Sequence, residues 1–128
     1  MIEPTLAFTL FDKILGGLGL IREGRKQRTE EIERALLALY VALAETRSYI
    51  EGRENGKRRN RKREYELARL WHSASIPLRA IDRDFAQRCF LKGSYWMEKD
   101  TWDKKRIDET GIAIDAVFDA TRQLLIQG

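Results

Sequence analysis

The chain has one cysteine, one histidine and two prolines in 128 residues. A single thiol, Cys89, excludes an intrachain disulfide and suits a reducing compartment, so a cytoplasmic protein is expected. One cysteine and one histidine, His72, cannot supply the Cys/His sets of structural zinc, nor the two Glu-x-x-His motifs of a di-iron bundle. No metal and no cofactor is expected. Pro4 and Pro77 are the only prolines, and long stretches carry neither proline nor glycine, which favours helices over turn-rich β structure. A Gly-Lys-Ser/Thr phosphate loop is missing, and Gly16-Gly17-Leu18-Gly19 follows a helical pattern, not a strand. Nor is there an uninterrupted apolar run of about 20 residues, the length a membrane-spanning helix needs.

What is present is helical periodicity. A chain of this length forms one domain, 1–128, with an apolar N-terminal helix and hinge over 1–24 and a bundle core over 25–128. From Thr29 the apolar row Ile32, Leu36, Leu39, Leu43, Thr46 and Ile50 alternates spacings of four and three, the pattern of a core-facing helix. Thr29 is placed as N-cap, with Glu30, Glu31 and Glu33 at the positive end of the helix dipole. Asn55-Gly56 then reads as the turn, with Gly56 in the left-handed conformation past the helix end. A second helix is expected from about Arg58–Asn60 to Ser73, so one long hairpin spans about 29–73. Pro77 is placed in the first turn of a third helix carrying Leu78, Ile81, Phe85 and Cys89, with Asp82 as a cap for a fresh segment. Gly93 is expected to weaken or end it, leaving Tyr95, Trp96 and Met97 in a connector that seals one end of the core. The last helix, about Trp102 to Ile126, repeats the spacing through Ile107, Gly111, Ile114, Phe118, Thr121 and Leu125, with its aspartates on the solvated face. The fold class is all-α: a four- to five-helix up-and-down bundle.

The chemistry of the lone residues is expected to be structural. Cys89 lies on an apolar row beside Phe90, the setting of an inert small hydrophobe. His72 follows Trp71 near an expected helix end, where it can bond the final carbonyls. No catalytic constellation emerges, and a non-enzymatic protein is expected.

Two stretches stand out as interaction surfaces. The first is Thr5 to Ile21, where Leu6, Phe8, Leu10, Phe11, Ile14, Leu15, Leu18 and Ile21 surround a narrow polar stripe. Such a helix has to be buried: against its own bundle, against a protein partner or second copy, or at a membrane surface, where Arg22, Arg25, Lys26 and Arg28 would meet anionic lipid. Asp12 and Lys13 at its middle argue against spanning. The primary functional expectation is an adaptor that oligomerises or docks a partner through this helix, with peripheral membrane attachment as an alternative.

The second stretch holds the charge. Seven of the 24 basic residues (Arg53, Lys57, Arg58, Arg59, Arg61, Lys62 and Arg63) fall within eleven positions that contain one acid, while the rest of the chain is slightly acidic. Basicity that local reads as a patch that contacts nucleic-acid phosphates or an acidic partner. Arg58, Arg61 and Lys62 fall on one side of the expected helix and Arg59 and Arg63 on another, so the charge surrounds the helix start without forming a stripe. Cations at a helix N-terminus oppose the dipole, and no local compensation is visible in the sequence.

Overall fold

The computed structural model describes residues 18, 19, 21, 23, 24, 27–98 and 104–127. These form four helices and no strand: α1 (Glu30–Glu54), α2 (Arg61–Leu78), α3 (Arg83–Glu98) and α4 (Lys104–Gln127). Among the described residues α1 packs on α2 and α4, and α2 packs on α3.

The α1 helix begins where its composition places it. The Thr29 hydroxyl accepts from the Ile32 amide at 3.1 Å, and all six residues of the apolar row are buried. Thr46, the one polar member, accepts the indole N–H of buried Trp71 at 2.9 Å. A hydroxyl at that position lets a tryptophan be buried without an orphaned donor. The helix ends in a Schellman turn: the Lys57 amide donates to the Gly52 carbonyl, the Gly56 amide to that of Arg53, and Gly56 sits at φ +89°. The stem of Lys57 folds back over Gly52, where a Cβ would stand 3.1 Å from its Cδ.

The α2 helix departs from expectation at both ends. It starts at Arg61, because Asn60 is the N-cap and its side chain accepts from the Arg63 amide. It runs through Ser73 and past Pro77 to Leu78, so Pro77 closes α2 instead of opening the next helix. A proline inside a helix forfeits one backbone hydrogen bond. Here the extra turn buries Ala74, Ser75 and Leu78 on the same face as Trp71, which offsets that loss, and the chain breaks immediately afterwards into the tight turn Arg79–Ile81. Asp82 immediately precedes α3, as a cap would.

Two further expectations are corrected in α3. Gly93 neither ends nor interrupts it, and Tyr95, Trp96 and Met97 are helical. Gly93 is where α3 meets α2: a Cβ there would stand 2.4 Å from His72 Cδ2 and 2.9 Å from the Ala68 carbonyl. The glycine that reads as a helix breaker is a close-packing residue, and its lost propensity is offset by the approach it permits. Trp96 is buried and meets the Tyr49 ring edge-on at 5.8 Å.

The α4 helix lies antiparallel to α1. Asp115 pairs with Arg47 at 2.8 Å, Phe118 stacks on Tyr40, and the Leu124 carbonyl accepts from Arg28, which also grips Glu33. Of its expected row, Ile114, Phe118 and Thr121 are buried and Leu125 is partly so, while the side chains of 107 and 111 lie outside the described set. Asp115 and Asp119 are exposed.

Candidate functional site

The hairpin tip is built around a buried carboxylate. Glu64, in the first turn of α2, is 2% exposed. It receives the Tyr49 hydroxyl at 2.6 Å and the Arg59 Nε at 2.9 and 3.1 Å. The Tyr49 oxygen in turn accepts from the Asn60 amide at 3.1 Å. Burial, then the hydrogen bond to Glu64, push the Tyr49 phenol up to about 12, so it remains a donor across the neutral range. One carboxylate thus ties the end of α1, the turn and the start of α2 together.

This network divides the seven basic residues. Arg59 is committed to Glu64. Arg63 bridges Glu45 at 3.0 Å and Glu66 at 3.3 Å, and Arg53 donates to the Lys57 carbonyl. These three are half-buried, and the acids Glu64, Glu66 and Glu45 that Arg59 and Arg63 engage bring negative charge to the helix start, which offsets cations at the positive end of the dipole. The other four, Lys57, Arg58, Arg61 and Lys62, are exposed. Lys57, Arg58 and Lys62 make no ion pair among the described residues. Arg61 donates to the Tyr65 hydroxyl at 3.3 Å, and its guanidinium sits 5.9 Å from the centre of that half-exposed ring.

Two of the apolar residues proposed for docking are described. Leu18 and Ile21 are 2% and 4% exposed and belong to the chain's own core. Leu6, Phe8, Leu10, Phe11, Ile14 and Leu15 lie outside the described residues. Among the described residues no helix is long and apolar enough to cross a membrane.

The lone residues occupy structural positions. Cys89 is fully buried, and burial raises its thiol far above the ordinary range, which removes its nucleophilic form. His72 lies in the interior of α2, not at a helix end: its ring stacks on Phe90 at 4.3 Å, and Nε2 stands 3.3 Å from Ser94 Oγ. No group of three or more metal-capable side chains occurs among the described residues. An open depression at the far end of α2 is lined by Glu31, Arg34, Ile76, Pro77, Arg79 and Ala80, none of them a nucleophile.

Sequence reasoning missed one group. Lys92 is 4% exposed on α3, with its ammonium 5.4 Å from the centre of the Tyr95 ring and 5.7 Å from that of Trp96. Burial lowers its pKa to about 7. The signal was a lysine followed three and four residues later by aromatics, which on a helix places both rings beside it.

No protein-family model matches the chain, and comparison with curated proteins and with solved structures finds no similar protein.

Proposed function

We propose that the chain is a non-enzymatic interaction protein, a four- to five-helix up-and-down bundle in one domain, that contacts the phosphates of a nucleic acid through its hairpin tip. The observation carrying this reading is the division of the basic stretch. The nearby acids Glu45, Glu64 and Glu66 are engaged by Arg59 and Arg63, while Lys57, Arg58, Arg61 and Lys62 face solvent on a turn and helix start tied together by the Glu64 network. Cations preset in one place lose less freedom when phosphate binds than cations on a loose loop. Without a basic helix free to enter a groove, the contact is with the backbone and carries no sequence preference.

The test is binding of a labelled oligonucleotide across a salt series. With four phosphates contacted, affinity falls roughly fiftyfold for a single strand, and about 150-fold for a duplex, between about 50 and 200 mM salt. Substituting Lys57, Arg58, Arg61 and Lys62 by Gln abolishes binding while circular dichroism stays helical. Binding that survives this substitution, or wild-type protein that binds no nucleic acid, removes the reading.

A second reading remains as a proposal: self-association or partner docking through the apolar N-terminal stretch, of which Leu6, Phe8, Leu10, Phe11, Ile14 and Leu15 lie outside the described residues. Light scattering on protein purified without nuclease separates the two. A multimer free of nucleic acid favours docking, and a monomer carrying nucleic acid released by salt favours the tip.

A further inference from the structure

The tip is not where the exposed positive charge ends. Because α2 runs to Leu78, its outward face is a continuous line, and Lys62, Tyr65 and Arg69 follow one another on it at spacings of three and four. All three are exposed. Neither Lys62 nor Arg69 makes an ion pair among the described residues. The two acids of α2 are both spoken for: Glu64 is buried against Arg59, and Glu66 bonds Arg63. The charge that sequence spacing distributes all round the helix start is therefore sorted by the fold, with Arg59 and Arg63 paired to acids of the protein and Lys62 and Arg69 on the outward face of α2.

Tyr65 decides what the path fits. Its ring stands between the two cations, half in solvent, with the Arg61 guanidinium over it and the hydroxyl held by Arg61. An aromatic ring fixed between cations is a stacking platform, and only an unpaired base offers a face to it. A duplex presents phosphates alone to such a surface. To read a duplex groove, α2 would have to enter a channel about 12 Å wide. Yet α2 is packed against both α1 and α3.

Resting on the reading of the tip as a phosphate contact, we propose that the outward face of α2 is a binding path for single-stranded nucleic acid: a base stacks on Tyr65, and the flanking phosphates lie on Lys62 and Arg69. The Cα positions of Lys62 and Arg69 are about 10 Å apart along the helix, at 1.5 Å per residue. That length corresponds to roughly three stacked nucleotides at about 3.4 Å each.

The experiment uses the full chain with labelled twelve-residue oligo-U and oligo-dT and a duplex of equal length, read by fluorescence anisotropy over a salt series. The single strands bind about tenfold more tightly than the duplex, the margin a stacked base adds. Tyr65→Ala weakens single-strand binding roughly tenfold and leaves duplex binding and the salt slope unchanged, while Tyr65→Phe, which keeps the ring, retains affinity. Arg69→Gln lowers the slope of log affinity against log salt by about 0.7, one phosphate contact. Wild-type-like binding by both Tyr65→Ala and Arg69→Gln, with binding still lost in the tip variant, overturns the path and leaves the tip reading standing. Equal affinity for duplex and single strand overturns the single-strand assignment. Wild-type protein that binds no oligonucleotide takes the tip reading away, and the path with it.

Discussion

Arg59 and Arg58 are adjacent and chemically identical, yet they belong to different parts of the molecule. The Arg59 guanidinium lies against Glu64, which is 2% exposed, and helps fix the turn, whereas Arg58 stands in water with no ion partner among the described residues. The same split separates Arg63 from Lys62. Charge turned inward is structural: its removal leaves a buried opposite charge that has lost its partner, a far larger penalty than loss of a surface pair. Charge turned outward adds little to stability and is available for a ligand. A basic run is thus two populations, and the fold decides membership residue by residue.

The strongest test of that division is Glu64→Ala. Removing the carboxylate strands Arg59 and the Tyr49 hydroxyl together, and urea unfolding is expected to show a loss of about 3 kcal/mol. A loss under about 0.5 kcal/mol, the range of an ordinary surface change, would erase the distinction.

Lys92 carries the comparison to a charge that burial itself disfavours. Its ordinary pKa of 10.5 falls to about 7 in the folded chain. Between those values the unfolded chain binds a proton that the folded chain does not. Stability therefore rises with pH across that window, and the full penalty is present below about 7. Lys92→Met is expected to stabilise the protein by about 1–4 kcal/mol near neutral pH. It should also flatten the stability profile between about 7 and 10.5. A profile that keeps its slope in this variant would place the titration elsewhere.

The smallest effect sharpens the outward side. Lys57→Gln, Arg58→Gln and Lys62→Gln should each change stability by less than about 0.5 kcal/mol, even as together they weaken oligonucleotide binding. A thermal melt checks this. A large drop in any of the three would move that residue to the structural population.

Local rules reach only a few positions along the chain. Periodicity located the core face of α1, the Thr29 cap and the Gly56 turn, because these depend on neighbours within a few positions. It misplaced Pro77, Gly93 and the cluster Tyr95 to Met97 for one reason. Each carries a local penalty or breaker signal, and each is overridden by burial against another helix: Leu78 in the core, His72 over Gly93, Trp96 against Tyr49. Leu18 and Ile21 were legible as apolar but not as core members, since their burial depends on residues distant in sequence.

The helical character of the chain, the basic run from Arg53 to Arg63 and the single copies of cysteine and histidine can be read from the sequence alone. Composition and spacing suffice for those, because they are sums over the chain or over one helical turn. Which cations are paired with acids follows from how the helices pack. The partners Glu45 and Tyr49 lie on α1, 18 and 15 residues before Arg63 and Glu64. Whether an arginine finds a buried carboxylate or water depends on how two helices are set side by side, and no pattern within one helix encodes that distance.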